Sequence, residues 1–274
     1  MKCIVENMHF FFFSSYYLLG DFMFNVGDYV TRKTYNNDIV FKIIDIKNDI
    51  YYLKGVCVRL YADSYQDDLV MCNEVSDKDN FRPNIDEYRE LDRNEYFYLP
   101  GRILHIDGDP DYLDKCMAFY KQNKIKAFGF NMKEMDMPLQ VNELLKKYNP
   151  DILILTGHDS FSRNKRQKYK NTSSFVNAVI EARKYEKSHE KLFIIAGACQ
   201  SNYEDLIKAG ANFASSPKRI NIHALDPAIV ATCLSFSNKN KDIDIIKILN
   251  KTKYGPDGIG GIITKGTMYV GYPR

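Results

Sequence analysis

The chain has 274 residues, with 38 Lys and Arg set against 35 Asp and Glu, for a formal charge of +3 at neutral pH. That balance, with 45% hydrophobic residues, describes a globular protein with material for a sizeable core; it excludes a disordered chain and gives no reason to expect a nucleic-acid partner. Six cysteines without a C-x-x-C pair suggest neither a zinc site nor a disulfide framework, and point to a reducing compartment.

Residues 1–22 read as an N-terminal extension. HFFFFSSYYLLGDFMF (9–24) is strongly aromatic, but Asp21 interrupts it and it is too short to span a bilayer. No A-x-A-like cleavage site follows it, and no membrane contact is expected. Residues 23–75 alternate apolar and polar side chains in VGDYVTRK, IVFKIIDIKN, IYYLKGVCVRLYAD and DLVMC, with Asn and Asp between the runs. Five short strands in about fifty residues suggest a small SH3-like β-barrel, a fold that carries no chemistry by itself. Residues 76–98 are charged and contain Pro83; they read as a linker.

From residue 99 to the end at 274 the rhythm is strand, then helix, repeated. RILHID (102–107) is a strand, and Asp109 with Pro110 is a helix start running to about Gln122. KIKAFGF (124–130), DILILTG (151–157) and KLFIIAG (191–197) are further strands, with helices expected over 139–148 and 174–187 between them. A short helix is expected up to Gly210, then a fifth strand in NFASSP, helices opened by Asp226-Pro227 and over 242–250, and a terminal hairpin in 261–273. This alternation implies an α/β architecture, a parallel sheet with helices on both faces in the strand order 2-1-3-4. The basic run SRNKRQKYK (162–170) reads as a solvated loop, and GIGG (258–261) lacks the context of a nucleotide loop.

In such sheets ligands bind beyond the carboxyl ends of the strands. The first, third and fourth strands end on or near Asp107, His158 and Cys199. A Cys and a His on one sheet edge make a nucleophile and its base. Ser201 and Glu204 match a capping box, so a helix should start just after Cys199, and its positive end should favour the thiolate. Asp159 is a candidate to orient the His158 ring, and backbone amides near Asp159 and Cys199 are candidate oxyanion donors. Asp107 would suit a cationic substrate side chain. A competing constellation uses His105, Asp107 and His158, with Asp159, as divalent-metal ligands for hydrolysis. A non-enzymatic scaffold is the third possibility. Asn221-Ile222-His223 reads as a turn with a satisfied histidine.

An apolar strand ending in His, followed 41 residues later by one ending in Ala-Cys, resembles the caspase-like cysteine peptidases, which include legumains, gingipains and clostripain. This sequence departs from their common His-Gly pair, since Asp159 follows His158. VGDYVTRKTYNNDIVFKIIDI, LPGRILHIDGDPDYL, PDILILTGHDS, FIIAGACQSNYEDLIKAGANFASSPKRINIHALDP and GIGGIITKG together resemble the YabG family of sporulation-specific cysteine proteases, from about Met23 to near the C-terminus. The resemblance implies a caspase-like peptidase domain over 99–274 and a cysteine endopeptidase that processes spore coat proteins, in the mother-cell cytoplasm and the spore coat. It implies no cofactor. Its catalytic pair maps onto Cys199 and His158. Cleavage after Arg follows by analogy, with Asp107 as the expected acidic floor of the pocket.

Overall fold

The computed structural model describes residues 24–72, 81, 83–88, 96–162, 168–262 and 264–271; the extension expected over 1–22 and most of the linker expected over 76–98 lie outside them. The first described unit is one antiparallel sheet of five strands, β1 (Tyr29–Arg32), β2 (Phe41–Lys47), β3 (Ile50–Gly55), β4 (Tyr61–Tyr65) and β5 (Leu69–Met71), in the order β4-β3-β2-β1-β5. Its inward side chains, among them Val30, Phe41, Ile43, Tyr51, Leu53 and Leu69, form a small core of their own. The five strands are those the alternation marks, but the sheet is not a closed barrel. No backbone ladder joins the edge strands β4 and β5. The Asp68 carboxylate gathers Arg32, Thr34 and Ser64 instead, so side chains span the gap that a ladder would close.

Strand β6 (Phe97–Leu99) pairs antiparallel with β15 (Tyr269–Gly271), so the C-terminal segment does not form the expected hairpin. The first residue of that segment, Gly261, ends β14 (Ile259–Gly261), which extends the main sheet antiparallel to β13 (Phe213–Ser215). The main sheet also holds β7 (Ile103–Asp107), β8 (Ala127–Asn131), β9 (Ile152–Thr156) and β12 (Phe193–Ala196), and runs β14-β13-β12-β9-β7-β8. Its four crossover-linked strands follow the expected order 2-1-3-4. All pairings except that of β14 with β13 are parallel.

Successive strand residues face opposite sides. Ile103, Ile152, Ile154, Phe193 and Ile195 pack toward α1 (Pro110–Gln122), α5 (Asp226–Phe236) and α6 (Ile245–Leu249). Leu104, Ile106, Leu153, Leu155 and Ile194 pack toward α2 (Met137–Tyr148), α3 (Thr172–Tyr185) and α4 (Tyr203–Ala209). Both faces are therefore dry, which is why these strands read as continuous apolar runs. Helix α5 is buried along its whole length. Helix α6 covers five residues, shorter than the stretch expected over 242–250. A two-stranded ribbon, β10 (Phe161–Ser162) with β11 (Lys168–Tyr169), flanks the segment 163–167, where most of the basic run lies outside the described residues.

Candidate active site

Because β7, β9 and β12 are parallel and in register, Asp107 lies opposite Thr156 and Leu155 lies opposite Ala196. Asp107, His158 and Cys199 thus share one carboxyl edge. The turn after β12 depends on Gly197, whose φ of +106° suits glycine. It is tied down by Ser201, whose hydroxyl accepts from the Ala198 amide and donates to Asp159. Ser201 is therefore not a helix cap. Asn202 caps α4 by accepting from Asp205, one residue later than the S-x-x-E pattern implies.

Cys199 is fully buried. The Ile222 amide donates to its sulfur at 3.2 Å, and the thiol packs with Val58 and Ile222. Burial pushes the thiol up to about 12, against the amide hydrogen bond that favours the thiolate. The expectation of a helix-activated thiolate fails in this state: α4 starts four residues beyond Cys199, and the apolar cover over the sulfur dominates.

The His158 ring makes no hydrogen bond to Cys199. Its Nε2 is 2.8 Å from Asp109 Oδ2, and its ring lies against Tyr61 at 4.1 Å and Tyr112 at 5.5 Å between centroids. The His158 amide donates to Glu134 Oε1. Asp159 does not orient the ring, because its carboxylate turns to the Asn171 amide and to the Thr172 and Ser201 hydroxyls. Asp109 holds that position instead. The sequence marks it as the N-cap of α1, and it is that too, accepting from the Asp111 and Tyr112 amides. Burial works against its charge, but His158 and Lys54 outweigh it and hold the carboxyl well below the usual range.

Asp107 is fully buried with Arg59 as its partner at 2.7 Å. Its second oxygen accepts from the Asp109 amide, and Thr156 donates to the first. The Arg59 guanidinium also donates to the Ala224 carbonyl and lies over the Tyr112 ring, 5.0 Å from its centroid. Burial would raise the Asp107 carboxyl, but the guanidinium beside it keeps it well below its ordinary value. This pocket is built for a guanidinium: one carboxylate, one carbonyl and one aromatic face.

The metal constellation does not assemble. His105 Nδ1 lies 3.0 Å from the Tyr120 hydroxyl and Nε2 2.8 Å from that of Thr156, both ring nitrogens buried, while Asp107 serves Arg59. Among the described residues no group of three His, Cys, Asp or Glu could hold a metal ion. His223 is satisfied, its Nδ1 accepting from the Leu225 amide, and it opens a turn into α5, its carbonyl accepting from the Asp226 amide, while it also bridges to Val58. Arg59, Tyr61, Tyr112 and Glu134 carry no sequence motif that would have singled them out. Two surface cavities of about 640 and 510 Å³ lie away from this cluster. No helix among the described residues is long and apolar enough to cross a membrane.

Comparison with known proteins bears on this arrangement. The family model described as YabG peptidase U57 matches residues 25–91 and 76–273. The chain is 40% identical to the sporulation-specific protease YabG of Bacillus subtilis (strain 168), over 91% of this chain and 98% of that protein.

Proposed function

The chain belongs to the YabG peptidase U57 family, and from that premise we propose that it is a cysteine endopeptidase that cuts spore coat proteins after arginine. A caspase-like peptidase domain over 99–274, acting in the mother cell and at the spore coat, goes with this reading. The observation that carries it is the guanidinium lodged against Asp107, on the same sheet edge as Cys199 and His158. A substrate arginine would enter that pocket and meet Asp107, the Ala224 carbonyl and the Tyr112 face. Its scissile carbonyl would then lie over the turn that carries Cys199.

In the reaction, His158 takes the thiol proton and the sulfur attacks the carbonyl carbon. The tetrahedral adduct collapses to a thioester as His158 passes that proton to the leaving amine. Water then attacks the thioester with His158 again as base, which releases the acid and restores the thiol. Asp109 holds the imidazole during both transfers, a role that needs no protonation of the carboxylate.

The test is cleavage of an arginyl peptide amide and of extracted coat proteins, with and without an alkylating agent. Cys199→Ala should fold and lose all cleavage, and Asp107→Ala should lose arginine preference or activity. Unchanged cleavage by Cys199→Ala, or chelator-sensitive activity that survives alkylation, would overturn the assignment.

A further inference from the structure

The connection between β3 and β4 is not a simple hairpin turn. Gly55 accepts a close approach there, since a Cβ on it would meet the Val58 carbonyl at 2.3 Å. The segment that follows leaves its own sheet and docks on residues 222–224, in the connection between β13 and α5. Val58 pairs antiparallel with His223; the Arg59 amide donates to the Ile222 carbonyl, and the Ala224 amide donates to the Cys57 carbonyl. This is a short stretch of backbone pairing, one bridge flanked by two hydrogen bonds, of the kind an extended peptide can make. The Arg59 side chain then enters the guanidinium pocket and is fully buried against Asp107. Val58 packs on Cys199.

At either end of the same segment, Lys54 and Tyr61 reach Asp109, and the Tyr61 ring covers His158. Each group that would act on a substrate is therefore engaged by a residue between 54 and 61. One feature separates this segment from a substrate. The Leu60 amide donates back to the Val58 carbonyl, so the chain turns sharply at Arg59 and the strand pairing ends there. Contact between two units needs apolar cover; it does not need an arginine driven into a carboxylate pocket beside a buried thiol.

We propose that Cys57–Leu60 is a built-in pseudosubstrate, which fills the substrate groove and keeps the peptidase latent until the segment is displaced. The proposal rests on the reading of Cys199 and His158 as the catalytic pair, and adds the regulation of that site. A closed chain reacts only through its open minority. With about 0.1–10% open, as is usual for a minor state, releasing the segment raises reactivity roughly ten- to a thousand-fold.

The experiment uses the full chain and two readouts. One is the rate of iodoacetamide labelling at Cys199, resolved from the other cysteines by peptide mapping. The other is hydrolysis of an arginyl peptide amide. Arg59→Ala should speed both by that factor, and a synthetic peptide of residues 56–61 added to the variant should slow both again. If alanine compromises folding, Arg59→Gln keeps the stem and a donor to Ala224, and should give a smaller rise in both rates. Wild-type labelling and hydrolysis as fast as those of the variants would overturn the latch and leave the peptidase reading standing. Faster labelling of Cys199 without arginyl cleavage would support the latch and sink the peptidase reading.

Discussion

The Asp109 carboxylate serves two masters. It accepts from the Asp111 and Tyr112 amides as the cap of α1, and it meets His158 Nε2 at 2.8 Å. Only the second role needs its charge, because an amide oxygen caps a helix about as well. Asp109→Asn therefore separates the two. The cap should survive, with a stability loss of about 1–2 kcal/mol from the weakened Lys54 and His158 bonds. Turnover should fall by up to about 10⁴-fold, the cost of removing the carboxylate that orients an imidazole base. The acid limb should change as well. The carboxyl is depressed in the folded chain by His158 and Lys54 despite its burial, so its stabilising contribution is present above the unfolded value of about 4 and is lost as pH falls toward the folded one. Asparagine does not titrate, so the variant should lose stability less steeply below about pH 4. Turnover measured beside urea denaturation across pH checks both; unaltered turnover would remove Asp109 from the site. The same dual use explains why its contact with His158 is hard to read from sequence. Asp109-Pro110 is a clear helix start, and a residue with one evident job hides the other.

Among the elements, what was legible followed from periodicity and local punctuation. The run from β7 to α1, the four parallel strands and α5 came from apolar runs, Pro110 and Asp226-Pro227, because these strands are buried on both faces and their helices start on fixed local signals. The elements that differ from the sequence expectation depend on partners distant in sequence. Whether residues 259–271 fold on themselves is decided by β13 and β6, which lie about fifty and about 170 residues upstream, and closure of the first sheet is decided by Asp68 side-chain bonds. The capping box failed because Asp159 competes for Ser201. Nor did any local pattern join Val56–Leu60 to Ile222–Ala224, since the pairing is made between units. The turn between β12 and Cys199 is sensitive to substitution. Gly197→Ala would hold a Cβ at φ +106° and bring it within 2.8 Å of Leu206 Cδ1. The expected cost is about 1–3 kcal/mol, with activity lowered because Cys199 is the next residue but one. Thermal denaturation and arginyl hydrolysis on the same sample would measure the two effects; a variant as stable as the parent would mean that the turn relaxes freely.

Across the whole molecule, the first sheet and the main sheet meet through one fully buried ion pair, Arg59 with Asp107, ringed by the Tyr112 hydroxyl on the Gly55 and Val58 carbonyls and by Lys54 on Asp109. Taking both charges out of water is costly, and their attraction recovers that cost only while both are present. Removing one leaves the other buried without a counterion. Arg59→Met and Asp107→Leu should each destabilise the chain by about 3–5 kcal/mol, while the double variant should fall within about 1–2 kcal/mol of the parent. The resulting coupling is the signature of a pair kept for something other than stability, because two apolar side chains would join the units nearly as well. Urea denaturation of the four proteins, followed by circular dichroism because the chain has no tryptophan, completes the cycle. Single-variant losses that simply add in the double variant would show instead that Arg59 and Asp107 act independently, and that the contact between the sheets does not run through their charges.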